Sequence, residues 1–182
     1  MTYSGFHLLF EKIAMKEVRL LTLQGHSDIP DGQYAFMPMY CDDKTCDCRR
    51  TIIQAYQVSP KECQFHAATI SFGWESLDFY RKWSHYLPDE MVLEFKGPAL
   101  DRMAQQSPYA EALLRHFIIN FLDDGYIERL KSQYAMFKYK KGMKLPPEVS
   151  KYLKIYEPCP CGSGKNFNLC CGKTGLFKRR FR

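Results

Sequence analysis

The stretch RTIIQAYQVSPKECQFHAATISF, residues 50–72, sets the fold of this 182-residue chain. It holds two runs rich in β-branched and aromatic residues, at 50–58 and 63–72, with Ser-Pro-Lys-Glu at 59–62 between them. Runs of this length on either side of a short group of turn residues are typical of two antiparallel strands. The sequence therefore predicts a β-hairpin formed by residues 50–58 and 63–72.

Two further strands are predicted before the hairpin. The first is EVRLLTL, residues 17–23, in which alternation places Val18 and Leu20 on one face. The second is QYAFMPMY, residues 33–40, in which Pro38 indicates an edge or a bulge because proline has no amide hydrogen for the ladder. Together with the hairpin, they predict an antiparallel sheet in the N-terminal half of the chain.

The second half of the chain has the periodicity of helices. Residues 75–86 form one predicted helix, and a second starts with Ser107 as its cap and Pro108 in its first turn. After Asp-Asp-Gly at 123–125, residues 126–139 continue as a third. The predicted fold class is α+β, with the N-terminal sheet covered by a packed helical layer and followed by a small C-terminal segment in which four cysteines, at 159, 161, 170 and 171, predict a zinc knuckle.

This pattern predicts three parts along the chain. Residues 1–141 form an α+β globular domain. Residues 142–156 read as a linker, because they contain Gly142 and the pair Pro146-Pro147. Residues 157–182 form a zinc-binding module with a basic tail.

The predicted zinc site lies in EPCPCGSGKNFNLCCGK, residues 157–173, which has half of the chain's eight cysteines. Two ligand pairs joined by a short loop suit a tetrahedral zinc, and four thiolates leave no open position for water, so the zinc is structural. Phe167 and Leu169 are the apolar side chains between the pairs, too few to fold the segment, so metal binding must supply the folding free energy. Iron or a redox role are the alternatives, since thiolates also bind iron. The predicted ligands are Cys159, Cys161, Cys170 and Cys171.

The same segment resembles the SEC-C motif. Residues 159–173, CPCGSGKNFNLCCGK, follow its order of C-x-C, Gly-Ser-Gly, a short spacer with an aromatic and a last ligand pair, with Cys171 where histidine is common. This motif is the zinc module at the C-terminus of the SecA translocation ATPase and of many otherwise unrelated bacterial proteins. The resemblance covers about a tenth of the chain. It implies a zinc-dependent interaction module, which in SecA binds the chaperone SecB and contacts ribosome or lipid, and it does not imply an ATPase.

A second group of thiols, Cys41, Cys46 and Cys48, lies between the second and third predicted strands. Its C-x₄-C-x-C spacing is one residue shorter than the plant-type iron–sulfur pattern. Three sulfurs suit a metal, but a closed site needs a fourth ligand. Cys63 is disfavoured, because the strand at 50–58 separates it from Cys48 by roughly 30 Å, and His66 is similarly placed. The favoured fourth ligands are Asp42, Asp43, Asp47 and Glu75.

This loop carries the alternative function. If its cysteines held a metal with water in the fourth position, the protein would be a metalloenzyme or a redox sensor. The other interpretation is that the thiols are buried small residues and surface groups without a ligand. Elsewhere the sequence has no His-Glu-x-x-His or Gly-x-Gly-x-x-Gly motif and no carboxylate pair, so no catalytic residue is nominated. His116 is interpreted as a core histidine.

The charge of the chain is unevenly distributed. Residues 131–182 have thirteen lysines and arginines against two acids, a net charge of +11, whereas the whole chain has +6, so residues 1–130 carry −5. A basic C-terminal region predicts an acidic protein, a chaperone or a ribosomal surface as partner, with nucleic acid or anionic lipid as further candidates and solubility alone as the plain alternative. Tyr134, Phe137 and Tyr139 alternate with lysines and could stack on single-stranded nucleic acid, but inward packing on a helix is favoured.

No run reaches the ~18 apolar residues of a transmembrane helix, and the N-terminus lacks the features of a signal peptide. The sequence therefore predicts a soluble cytoplasmic protein. In that reducing compartment, clustered cysteines bind metal more often than they form disulfides.

Overall fold

The computed structural model describes residues 2–59, 65–85 and 87–173. Within these ranges the strands are β1 (Tyr3–Gly5), β2 (Arg19–Leu23), β3 (Gly32–Cys41), β4 (Arg50–Ser59), β5 (Phe65–Gly73) and β6 (Ala99–Leu100). The helices are α1 (His7–Glu17), α2 (Leu77–Ser84), α3 (Asp89–Lys96), α4 (Ala110–Phe121), α5 (Asp124–Lys140) and α6 (Pro147–Ser150), followed by a 3₁₀ turn at Phe167–Leu169. This confirms the predicted α+β class with an antiparallel sheet.

The predicted hairpin, β4 and β5, lies in the middle of the sheet. β3 pairs with β4, β4 with β5 and β5 with the short β6, all antiparallel. The other side of β3 is covered by two separate strands, β1 near its end and β2 near its start. β3 therefore covers one side of the hairpin from Ile52 to Ser59, and among the described residues β6 covers the other side at Ile70 and Ser71.

Pro38 lies in β3 opposite the gap between β1 and β2. β2 pairs with β3 as far as Phe36, and β1 begins to pair at Met39. The side of Pro38 that lacks an amide hydrogen therefore faces no ladder partner, while its carbonyl accepts a 3.0 Å hydrogen bond from the Phe6 amide. β3 is paired on both sides, so the edge strand predicted from this proline is wrong, and the gap between β1 and β2 is what accommodates Pro38.

Helix α1 fills the connection between β1 and β2, and the sequence pattern did not predict it. Its apolar residues do not share one face, because Phe10 and Ile13 are buried whereas Leu8 and Met15 are 68% and 72% exposed. Since α1 runs to Glu17, the strand predicted at 17–23 begins two residues later. Its buried side chains are those of Leu21 and Leu23, not Leu20, which is 47% exposed.

The predicted start of the second helix is wrong. α4 begins at Ala110, and Ser107 lies before it as the acceptor of the Ala110 amide in a turn, through its backbone carbonyl and not its side chain. The predicted break before the third helix is confirmed, since the Asp123 side chain caps α5 by accepting from the Tyr126 amide at 2.7 Å.

The core has two parts. One lies between the sheet and α4 and includes Phe36, Ile53, Ile70 and Phe117. The other is built around the second half of α5 and contains cysteines of both groups together with aromatic residues of α1. Residues 133–138 of α5 are all buried, so the aromatics among them pack inward as favoured. The second core is the part of the fold that positions the candidate site.

Gly73 at the end of β5 sits against Tyr80, whose hydroxyl donates a 2.7 Å hydrogen bond to the Arg49 carbonyl beside the cysteine loop. A Cβ at Gly73 would lie 2.2 Å from the Tyr80 hydroxyl oxygen and 2.7 Å from the Phe95 carbonyl oxygen. We expect Gly73→Ala to destabilise the protein by about 1–3 kcal/mol, measured by denaturant unfolding. The matched Gly125→Ala, where the nearest atom is 3.4 Å away, should instead be neutral or stabilising; equal losses in both would contradict the steric reason.

Candidate metal centre

The structure brings the four C-terminal cysteines together. Their Sγ atoms all lie within 4.8 Å of one another. The Cys161 and Cys170 sulfurs are 3.5 Å apart, and those of Cys170 and Cys171 are 3.9 Å apart. A Zn–S bond of about 2.3 Å places the sulfurs of a tetrahedron about 3.8 Å apart. The spacing of the thiols therefore fits a four-sulfur site.

Backbone hydrogen bonds give this segment its knuckle shape. The Cys159 amide donates to the Lys165 carbonyl at 2.8 Å, and the Phe167 amide donates to the Glu157 carbonyl at 3.0 Å. Between them, Gly162 and Gly164 have positive φ values of 83° and 73°, which glycine adopts without strain. The 3₁₀ turn that follows leads the chain back to the second cysteine pair. We call residues 157–173 the knuckle.

Two lysines from distant parts of the chain approach the knuckle. Lys16 of α1 donates to the Cys161 carbonyl at 2.9 Å, and Lys140 of α5 donates to the carbonyls of Cys171, at 3.0 Å, and of Lys173. Local sequence reasoning missed both cations, because each is more than thirty residues from the thiol pair that it faces. Lys165, which lies within the knuckle sequence, has an exposed side chain.

The thiols of the knuckle have different acidities. The Ser163 hydroxyl lowers the pKa of Cys161 to about 6 by hydrogen bonding. Burial raises the pKa values of Cys159 and Cys171. Among the knuckle thiols, hydrogen bonding therefore favours the thiolate at Cys161, whereas burial disfavours it at Cys159 and Cys171.

The knuckle packs against the N-terminal part of the chain through Phe167. This side chain is 2% exposed, and its ring lies 6.0 Å from that of Phe10 in α1. In the preceding segment, residues 142–156, helix α6 buries Val149 in the same core. The boundaries predicted at 141 and 157 stay a prediction.

The structure also brings together the thiols of Cys41, Cys46 and Cys48, again with Sγ atoms within 4.8 Å of one another. Cys41 ends β3, and the Asp43 carbonyl accepts from the Cys46 amide at 3.4 Å, which turns the chain back. The Asp43 carboxylate accepts from the Thr45 amide at 2.8 Å and fixes that turn. All three cysteines are buried. We call residues 41–49 the cysteine loop.

Thiol hydrogen bonds from Cys46 and Cys48 lower the pKa of Cys41, and donating them raises the pKa values of these two cysteines. The group therefore favours one thiolate, at Cys41. Lys138 of α5, a fully buried residue, donates to the Asp43 carbonyl of the same loop at 2.7 Å.

The four acids predicted as a fourth ligand have other partners. Asp42 pairs with Lys141 at 2.6 Å, and Asp43 accepts from Thr45. Arg49 contacts the other two, at 2.8 Å for Asp47 and 3.4 Å for Glu75. Among the described residues, none of these carboxylates joins the three thiols in a group whose ligand atoms all lie within 4.8 Å of one another. Cys63 lies outside the residues that the structure describes.

The fold and the knuckle define an α+β protein with a C-terminal group of four cysteines that could hold a metal ion. The family model of the SEC-C motif matches residues 157–173. The chain therefore carries a SEC-C motif in its knuckle, and the match covers about a tenth of its length.

Curated relatives are similar over part of their length. The translocase subunit SecA of Thermodesulfovibrio yellowstonii is 29% identical over 91 residues, which are 49% of this chain and 10% of that SecA. SecA of Nitratiruptor sp. is 42% identical over 45 residues, 24% of this chain and 5% of that protein. SecA of Helicobacter pylori strain J99 is 29% identical over 114 residues, 56% of this chain and 12% of the relative. The chain thus spans about a tenth of the SecA chains it matches.

No solved structure matches the chain. Among the helices of the described residues, none is long and apolar enough to cross a membrane.

Proposed function

We propose that this protein is a cytoplasmic zinc protein whose SEC-C module holds one structural Zn²⁺ and binds an acidic protein surface. The observation that carries the proposal is the spacing of the four knuckle sulfurs, which matches a Zn(Cys)₄ tetrahedron. Cys159, Cys161, Cys170 and Cys171 would supply all four ligands and leave no position for a reacting water. The zinc would therefore organise the knuckle and take no part in catalysis.

Charge supports this assignment. A zinc ion with four thiolates has a net charge of −2, and Lys16 and Lys140 place two ammonium groups on carbonyls of the knuckle. Hydrogen bonds and charges around a metal site commonly orient its ligands and tune its affinity. The two lysines also tie the knuckle to α1 and α5, so bound zinc would fix the orientation of the module on the protein.

The exposed face of the knuckle supports a role in binding. Tyr156 and Leu169 are 75% and 58% exposed. Their neighbours Ile155 and Asn168 are joined by a 3.0 Å hydrogen bond from the Asn168 amide to the Ile155 carbonyl, which brings the two exposed residues into the same region. Lys151 and Lys165 are exposed in the same region. Exposed apolar groups in a segment with exposed bases suit an acidic protein surface with an apolar centre. The basic tail at 174–182, predicted to contribute, lies outside the described residues.

The interaction is tested with a variant that keeps every cysteine. Tyr156→Ala with Leu169→Ala should retain zinc but lose the partners that the intact chain captures, identified by mass spectrometry and retested as purified proteins. The control is Ile119→Ala, which removes an 80% exposed side chain from α4 and should leave binding unchanged. Recovery of the same partners by the double variant would show that this face is not the interaction surface. Capture that depends on nuclease-sensitive nucleic acid would contradict a protein partner.

A further inference from the structure

The cysteine loop is a second thiol cluster that the proposed function does not use. Its three sulfurs lie within 4.8 Å of one another and are shielded from solvent, with Cys41 and Cys48 fully buried and Cys46 9% exposed. Turn hydrogen bonds and the ends of β3 and β4 hold them there. The ligands are therefore brought together by the fold before any ion binds, and this lowers the cost of binding.

Lys138 provides an independent observation beside this cluster. The residue is fully buried, and its ammonium group donates to the Asp43 carbonyl, which also accepts from the Cys46 amide. Its other contact is the Tyr134 ring, 5.6 Å away. Among the described residues, no carboxylate forms an ion pair with it. A buried ammonium group is stable when an anion compensates it. The neighbouring thiols and the Asp43 carboxylate, which all interact electrostatically with Lys138, are the groups that can provide one.

Tyr3 provides a second observation. It pairs with Cys41 across β1 and β3, and directly paired residues have Cβ atoms about 4.5–5.5 Å apart. The hydroxyl oxygen of Tyr3 is buried and has no hydrogen-bond partner among the described residues. Buried hydroxyl groups almost always have a partner. The Tyr3 hydroxyl interacts electrostatically with all three thiols and is free to donate to a metal-bound thiolate or water.

We propose that Cys41, Cys46 and Cys48 bind a second zinc ion as three thiolates, with buried Lys138 as the counter-cation and water in the fourth position. A zinc ion with three thiolates has a net charge of −1, which the single ammonium group of Lys138 neutralises. The absence of carboxylates from the three-thiol group among the described residues disfavours Mg²⁺ and Ca²⁺, and soft thiolates favour zinc. The loop site differs from the knuckle in retaining an open position.

Zinc stoichiometry of the full-length protein, purified without chelator, tests the site. We expect two zinc ions per chain in the wild type, one in Cys46→Ser, and one in the knuckle variant Cys159→Ser with Cys161→Ser. Combining all three substitutions should leave none. Cys63→Ser should retain two; loss of one ion there would overturn the three-thiolate site. A single zinc that the knuckle variant loses and Cys46→Ser retains would overturn the loop site and leave the proposed function intact. The reverse pattern would overturn the knuckle site and leave the loop site, whereas zero zinc in the wild type would overturn both.

Lys138→Met separates the role of the charge from folding. Methionine fills similar apolar space without a charge, so we expect zinc to leave the loop about 10- to 100-fold faster during chelator competition, as for other groups that support metal ligands. The matched Lys140→Met removes the ammonium group facing the knuckle and should accelerate release from that site instead. Equal release from both sites in the two variants would contradict the assignment.

If Cys46→Ser fails to fold, the wild-type protein still provides the test. Cys46 should be alkylated slowly in the zinc-loaded chain and at least tenfold faster after zinc is removed under native conditions, with the modified residue identified by peptide mapping. An alkylation rate that does not change with zinc would overturn the site.

Discussion

Replacing Cys159 and Cys161 together by serine is expected to unfold residues 157–173 and leave the sheet intact. The knuckle buries one large apolar side chain, Phe167, and its remaining folding free energy must come from the metal. Zinc binding supplies on the order of 10 kcal/mol or more to small cysteine-rich peptides. The expected result is loss of amide protection throughout the knuckle in hydrogen–deuterium exchange, with protection of β4 and β5 unchanged.

Lys165→Ala is the matched control for this prediction. Its side chain is exposed and supplies no proposed ligand, so the knuckle should stay protected. Unchanged protection in the double cysteine variant would show that the segment folds without metal. Loss of protection in the sheet would show that the two parts of the protein unfold together.

Replacing Phe167 by alanine is expected to release the knuckle from the protein without removing its zinc. The phenyl ring is 2% exposed and lies against Phe10. Phenylalanine-to-alanine substitutions in cores cost about 3–5 kcal/mol, and here most of the cost falls on the contact between the knuckle and α1. We expect faster amide hydrogen–deuterium exchange where the knuckle and α1 pack against each other, while the zinc content, measured on the same samples, stays unchanged.

The neighbouring Leu169→Ala is the control, because it removes an apolar side chain of the same 3₁₀ turn that is 58% exposed. It should change stability by less than about 0.5 kcal/mol. Equal effects of the two substitutions would mean that the knuckle is not held by the buried ring. Loss of zinc from Phe167→Ala alone would mean that docking and metal binding are one step.

The end of α5 lies between the two thiol clusters. Lys138 contacts the cysteine loop and Lys140 contacts the knuckle. Two residues along an α-helix correspond to a rotation of about 200°, so these side chains point to nearly opposite sides. One helical turn thereby places a cation beside each cluster. A shift of this helix end would therefore move the cation at both clusters.

The strands were predictable because their signal is local. The runs that form β4 and β5 are long, apolar and separated by turn residues, and the structure places them at the centre of the sheet. Helix α1 was missed because its burial does not follow a helical stripe: Leu8 and Met15 face solvent, and the backbone at Phe10 is not helical. Which residues of α1 are buried depends on contacts with the knuckle and α5. These contacts are distant along the chain and leave no local sequence pattern.

The sequence by itself determined the ligand chemistry and the hairpin, since both depend on residues close together along the chain. It specified four thiols in two pairs at 159–171 and three more at 41–48. The tertiary structure decided which groups surround them. It places Lys16, Lys138 and Lys140 beside the two thiol clusters. The acids of the cysteine loop contact Arg49, Lys141 and other partners. Phe167 is buried, whereas Leu169 is exposed. The physical reason is that charge compensation and packing act across space, whereas the spacing of ligands is set along the chain.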